Sequence, residues 1–218
     1  MAIKVIRVQE DILRANDEIA RQNEKLLNEK GVVMINVMSS PGAGKTTTLL
    51  KTIEKMGEKA RIGVIEGDVA SSVDAEKIAV KSVPVIQINT AGGCHLDANM
   101  LEHALQDMPL DDIDLLFIEN VGNLICPAGF ALGEQKNIMI CSTPEGHDKP
   151  YKYPNMFTQV SVVLVNKMDI APLLDFDMDE FQTAVKGLNP GVKIIPISAK
   201  TGEGMDEFCS WLEGLLKK

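Results

Sequence analysis

The chain has 218 residues, a formal net charge of −9 and 45% hydrophobic residues. That length suits one α/β domain with a large core, and the acidic balance argues against general binding to nucleic acid or anionic membranes, whose phosphates are repelled at long range. No apolar run is long enough to cross a bilayer and Met1-Ala2-Ile3-Lys4 lacks a signal-peptide core, so a cytoplasmic protein is expected, with its four cysteines as thiols or metal ligands.

Residues 1–8 read as a short extended lead. Residues 9–30 read as a charged helix with Ile12, Ile19 and Leu26 seven apart and Leu13, Ala20 and Leu27 beside them. A stripe that narrow suits packing onto its own domain or onto a partner helix. Gly31 is a helix stop. Residues 1–30 are therefore set apart as a lead and helix, and residues 31–218 as the main domain. From there strands are predicted at 32–38, 61–66, 85–88, 114–119, 138–142, 161–166 and 192–197. Helices are predicted at 45–57, 72–81, 97–107, 154–159, 178–188 and 205–217. The strands are continuous apolar runs, which fits a mostly parallel sheet buried on both faces. Alternation of this kind predicts a doubly wound α/β fold, with ligands at the carboxyl ends of strands.

The first strand runs into Ser39-Ser40-Pro41-Gly42-Ala43-Gly44-Lys45-Thr46-Thr47. This is a phosphate-binding loop with Ser39 where the pattern has its first glycine. Pro41 opens the turn and the N–H groups of residues 42–47 face an anion at a helix N-terminus, Lys45 reaches the β- and γ-phosphates, and the Thr46 hydroxyl ligates Mg²⁺. After the second strand, Asp68 is a candidate to support Mg²⁺ or to orient water, and Asp74 is an alternative that could serve only the helix dipole. After the fourth strand comes Glu119-Asn120-Val121-Gly122, an acid for Mg²⁺ and a glycine whose N–H meets the γ-phosphate. Asn166-Lys167-Met168-Asp169 follows the sixth strand. The Asp169 carboxylate can accept from both N1–H and the N2 amino group of guanine, the Lys167 stem can cover the base, and Asn166 can brace the loop. After the seventh strand, the Ala199 N–H of Ser198-Ala199-Lys200 can donate to guanine O6, and Lys200 can cover the other face. Four elements in this order point to GTP as the ligand.

Cys94-His95 follows the third strand and a short loop, and Cys126 lies four residues beyond Gly122. Two thiolates and an imidazole suit Ni²⁺ or Zn²⁺, although free cysteines also serve as small core residues. Cys141 and Cys209 read as core. His147, in a polar loop at a strand end, reads as exposed.

Taken together, Ser-x-Pro-Gly-x-Gly-Lys-Thr, Glu-Gly-Asp, Gly-Gly-Cys-His-Leu, Glu-Asn-Val-Gly-Asn-Leu-Ile-Cys-Pro, Asp-Lys-Pro-x-Lys-Tyr-Pro and Asn-Lys-x-Asp resemble the hydrogenase nickel-incorporation GTPases, the HypB family. The resemblance runs from about residue 8 to the end. The Cys-His and Ile-Cys-Pro segments separate it from the related urease accessory GTPases. The resemblance implies a dimerising P-loop GTPase that hydrolyses GTP to GDP and phosphate and forms a homodimer when GTP is bound. It implies Ni²⁺ or Zn²⁺ at Cys94, His95 and Cys126 near the dimer interface. It also implies nickel loading into the large subunit of [NiFe]-hydrogenase beside a small accessory protein, HypA. Some members carry an N-terminal cysteine motif or histidine tract for nickel, and residues 1–30 here contain neither residue type.

The short separation of Gly122 and Cys126 suggests that hydrolysis moves a segment shared by the two sites. Two rival readings are a metal-binding scaffold whose nucleotide site is structural, and a small-molecule kinase on the same loop. The segment Ile170-Ala171-Pro172-Leu173-Leu174 is a candidate dimer contact or a helix-start staple.

Overall fold

The computed structural model describes residues 8–69 and 73–216. The predicted lead up to residue 7 lies outside the described residues. Along the chain come α1 (Val8–Lys30), β1 (Val33–Ser39), α2 (Lys45–Met56), β2 (Ile62–Asp68), α3 (Val73–Ala79), β3 (Val85–Asn89), α4 (Ala98–Asp107) and β4 (Leu115–Glu119). They are followed by β5 (Lys136–Ser142), α5 (Lys149–Lys152), α6 (Pro154–Thr158), β6 (Val162–Asn166), α7 (Met178–Leu188), β7 (Lys193–Pro196) and α8 (Met205–Leu216). The seven strands form one sheet in the order β3-β2-β4-β1-β5-β6-β7, and every pairing is parallel.

Both faces of the sheet are covered, which is why its strands are mostly apolar rather than alternating. Ile35 and Val37 of β1 pack with Leu49, Ile53, Phe208 and Leu212 of α2 and α8. Met34 of the same strand points to the other face, with Leu27 of α1 and Leu101 and Leu105 of α4. Further along that face, Met38 joins Phe157, Phe181 and Val185 of α6 and α7. Polar residues interrupt the second face at one line. Asn120 Nδ2 donates to Asn36 Oδ1 at 3.1 Å, and Asn36 Nδ2 donates to Asn137 Oδ1 at 2.9 Å. Each buried amide is partnered, as the cost of burying one requires.

Three expectations change. β2 runs two residues further than predicted, because Gly67 and Asp68 pair with Ile88 and Asn89 of β3. Asp68 is thus the last strand residue, and Glu66 lies inside the strand opposite Glu119. A short helix, α5, precedes the predicted one at 154–159, where the chain turns through Pro150 and Pro154. Helix α1 lies on its own domain, and of the predicted stripe Ala20 and Leu27 are buried in the seam while Leu13, Ile19 and Leu26 are only half-buried. Ile12 is exposed, whereas Asn16, Ala20, Asn23 and Leu27 are the buried residues. Hydrophobic periodicity registers only apolar residues, so it could not place a seam that has two asparagines in it.

Candidate nucleotide and metal site

All the motifs gather at the carboxyl edge of the sheet. The loop after β1 turns from an extended Ser39 into α2. Ser39 is not among the positive-φ residues, so no glycine is required there. It has a side-chain role instead: Lys45 Nζ donates to Ser39 Oγ at 3.1 Å, and Ser39 Oγ donates to the Ser40 carbonyl at 2.6 Å. The conformational demand falls on Gly42, with φ 74°, and on Gly44, which caps α2 with φ 101°. A Cβ at Gly44 would lie 2.5 Å from Asn166 Nδ2. That close approach lets Asn166 Nδ2 donate to the Ala43 carbonyl at 2.9 Å.

The phosphate end is lined by Pro41, Gly42, Lys45, Asp68, Glu119 and Gly122, with Glu66 between them, around a cavity of about 270 Å³. Thr46 Oγ1 donates to Glu119 Oε1 at 2.8 Å. Gly122 backs onto the loop so closely that a Cβ there would lie 3.0 Å from Pro41 Cα. Ser40 Oγ, Glu66 Oε2 and Glu119 Oε2 are buried with no hydrogen-bond partner. Burial dominates the electrostatics. It pushes the Glu66 carboxyl up to about 8, helped by the neighbouring Glu119, and Glu119 up to about 7 against the pull of Lys45 and Thr46. Burial also lowers the Lys45 ammonium, against the attraction of Glu119, Asp74, Glu66 and Asp68. Orphaned carboxylate oxygens beside a threonine hydroxyl are hard donors of the kind Mg²⁺ takes. Glu66 is absent from the sequence-derived site, and its register opposite Glu119 is what brings it into this cavity. Asp74 lines the same cavity and pairs with Lys77 at 2.7 Å on α3.

The base end is a second cavity of about 350 Å³, lined by Gly44, Thr47, Asn166, Lys167, Asp169, Ile170, Ala199 and Lys200. Lys167 adopts the left-handed conformation, φ 65°. Its Nζ donates to the Gly42 carbonyl at 2.8 Å, so its stem joins the base loop to the phosphate loop. Ser198 Oγ donates to Asp169 Oδ1 at 2.8 Å and orients that carboxylate. The Ala199 N–H, expected to face guanine O6, donates to Asn166 Oδ1 at 3.0 Å. Asn166 thus clamps both flanking loops, holding Ala43 with its donor and Ala199 with its acceptor.

Cys94, His95 and Cys126 converge, and their ligand atoms all lie within 4.8 Å of one another. Cys94 Sγ is 3.5 Å from His95 Nδ1, and the imidazole lies against Phe130 with ring centroids 4.0 Å apart. Cys126 opens a 3-10 turn, Cys126–Gly129. The Cys126 thiol beside Cys94 raises the Cys94 thiol above its usual range, and burial lowers His95. Cys141 and Cys209 are buried. Two asparagines missed in the sequence bind this cluster to the phosphate end. The Asn123 N–H donates to the Ser39 carbonyl at 2.8 Å, and Asn123 Nδ2 donates to the Cys94 carbonyl at 3.3 Å. Asn120 Oδ1 accepts from the Leu96 N–H at 3.1 Å. His147, expected to be exposed, is partly buried. It accepts from the Asp177 N–H on Nδ1 at 3.2 Å and turns Nε2 toward Glu180 at 3.5 Å.

Residues 33–196 match the family described as CobW/HypB/UreG, nucleotide-binding domain. The hydrogenase maturation factor HypB of Azotobacter vinelandii is 46% identical over 212 residues, covering 96% of this chain and 69% of that protein. The chain belongs to the HypB branch of this P-loop GTPase family. Crystal structures agree. The hydrogenase maturation factor HypB of Archaeoglobus fulgidus is 38% identical with a TM-score of 0.88, covering 94% of this chain and all of that one. HypB of Helicobacter pylori, solved in complex with nickel, is 34% identical with a TM-score of 0.90, covering 93% of this chain and 95% of that one. Among the described residues, no helix is long and apolar enough to cross a membrane.

Proposed function

We propose that this protein is a GTP-hydrolysing metallochaperone that helps insert nickel into [NiFe]-hydrogenase. One observation carries the reading: the phosphate loop and the Cys94–His95–Cys126 cluster share a hydrogen-bonded segment. Asn123 holds the Ser39 carbonyl at one end and the Cys94 carbonyl at the other, and it lies between Gly122 and Cys126.

In this reading residues 41–47 hold the phosphates, and Lys45 neutralises their charge. Thr46, Asp68 and Glu119 hold Mg²⁺, which when bound supplies charge neutralisation at the phosphates. Asn166, Lys167, Asp169 and the 198–200 loop select guanine. Asp68 is the candidate for orienting water. Nickel or zinc is cargo at Cys94, His95 and Cys126. Gly122 senses the γ-phosphate, and its movement on hydrolysis passes through Asn123 to Cys94 and Cys126, changing the ligand spacing. By linkage, bound metal in turn changes nucleotide affinity. The proposed partners are a second copy of the chain, a HypA-like accessory protein and the hydrogenase large subunit. The relatives' names as hydrogenase maturation factors, and the nickel-bound neighbour, support this assignment.

The test is phosphate release from GTP and from ATP, with and without Ni²⁺, together with Ni²⁺ affinity in GDP and in a non-hydrolysable GTP analogue. GTP-selective release and a nucleotide-dependent Ni²⁺ affinity are expected. Equal Ni²⁺ affinity in both nucleotide states would sink the coupling, and absence of turnover would leave a scaffold with a structural nucleotide site.

A further inference from the structure

Helix α1 buries two asparagines, Asn16 and Asn23, along its deepest line. They are two turns apart, so both amides face the same way. Both hold the main chain of Ala98. The Ala98 N–H donates to Asn16 Oδ1 at 2.9 Å, and Asn23 Nδ2 donates to the Ala98 carbonyl at 2.9 Å. The amides also reach a second segment. Asn16 Nδ2 donates to the Ala131 carbonyl at 2.8 Å, and Asn23 Nδ2 donates to the Leu132 carbonyl at 3.1 Å.

These two segments carry the metal-ligating cluster. Ala98 opens α4 just after Cys94 and His95. Ala131 follows Phe130, whose ring rests on His95, and Cys126 stands on the same segment. Gly133 seals the contact. It has φ +98°, and a Cβ there would fall 2.3 Å from the Ala20 carbonyl oxygen of α1. Apolar residues at positions 16 and 23 would fill the seam without the cost of burying amides. What the amides add is a fixed geometry between two loops that make no sheet contact with each other.

We propose that Asn16 and Asn23 are positioning residues for the Cys94–His95–Cys126 cluster. Helix α1 is a brace that sets the distance between the loop carrying Cys94 and His95 and the segment carrying Cys126 and Phe130. The proposal rests on reading that cluster as a metal site. Partners of metal ligands typically change affinity by roughly 10- to 100-fold when removed.

The experiment uses the full chain. Co²⁺ and Ni²⁺ are titrated into wild type, Asn16→Ala, Asn23→Ala and a control, Leu27→Ala, which loosens α1 without touching either amide. Affinity, the thiolate-to-metal charge-transfer band, GDP affinity and Tm are measured. In the metal-free chain, bridging of Cys94 to Cys126 by dibromobimane reports the thiol separation directly. The asparagine variants are expected to lose roughly 10- to 100-fold in metal affinity, shift the band and bridge less, with GDP affinity unchanged. Leu27→Ala should lower Tm and leave the band and the bridging in place. Asparagine variants that keep wild-type affinity, band and bridging overturn the proposal even if Tm falls, and so does a Leu27→Ala chain that loses metal equally. If the alanine variants fail to fold, Asn16→Asp decides by the same readouts, because it keeps the acceptor for Ala98 and removes the donor to Ala131. If wild type binds neither metal, the metal-site reading fails, and the bridging comparison still tests the brace.

Discussion

The two halves of the nucleotide site differ in how far their polar groups are satisfied by the protein alone. At the base end, Asn166 holds Ala43 and Ala199, Lys167 holds Gly42, and Ser198 holds Asp169. At the phosphate end, Ser40, Glu66 and Glu119 each bury an oxygen with no partner, and Lys45 is desolvated beside four carboxylates. The base pocket is therefore built in advance, and its geometry can discriminate among ligands. The phosphate pocket holds charge that a bound cation and phosphates would complete, and a site of that kind responds to what occupies it. Discrimination needs rigidity, whereas a conformational response needs an imbalance that a ligand can remove.

Breaking the rigid half should have the largest effect. In the proposed function, Asp169→Asn would replace one of the two acceptors with a donor facing the N1–H and N2 groups of guanine. The preference for GTP over ATP should fall by up to roughly ten-thousandfold, read as the ratio of kcat/KM values. A preference that survives would move base selection to another residue.

In the phosphate half, Lys45→Ala removes the only cation among the residues lining that cavity. Phosphate release should drop by at least about a hundredfold. Turnover near wild type would show that the cavity is not where phosphate is cleaved.

Glu66→Gln tests the imbalance itself, in nucleotide-free protein with EDTA. The folded Glu66 carboxyl titrates at about 8, above its unfolded value of about 4.3. Its contribution to stability is full below the unfolded value and is lost as pH rises through the folded one. Glu66→Gln should match wild type near pH 4 and exceed it above pH 8, by a few kcal/mol at most, roughly 1.4 kcal/mol per unit of pKa difference. Parallel Tm curves for the two proteins from pH 4 to 9 would contradict this.

The smallest effect on turnover belongs to the metal cluster. Cys126→Ala should leave metal-free GTP hydrolysis within about twofold, because the thiol contributes nothing to transition-state charge, while Ni²⁺ binding is lost. Equal losses of hydrolysis and metal binding would make the cysteine part of the phosphate site.

Most of the architecture was legible in the chain itself. The apolar runs marked all seven strands, because strands buried on both faces keep no polar alternation. The phosphate loop, Glu119, Asn166 to Asp169 and Ser198 to Lys200 were legible because glycines, acids and amides at strand ends follow local rules of turn geometry and hydrogen bonding. Cys94-His95 and Cys126 were visible as residue types, and the family resemblance joined them into one site, whereas their spacing alone did not show the convergence. It depends on β3 and β4 delivering separate loops to one corner of the sheet.

What only the tertiary structure decided concerns polar residues with long-range partners. Glu66 gained importance from its register opposite Glu119, since neither strand alone reveals which residue it faces. Ser39 looked like a missing glycine and proved to be a hydrogen-bond partner of Lys45. The Ala199 N–H is held by Asn166, a partner that its own loop does not reveal. The seam of α1 passed through Asn16 and Asn23, and a hydrophobic pattern cannot point to an amide. Apolar periodicity and turn chemistry are local, so the sequence determined the sheet, its helices and the tips that bear the motifs. A buried polar group is defined by the partner that satisfies it, and in this protein those partners stand as many as 123 positions away, as with Asn166 and Ala43.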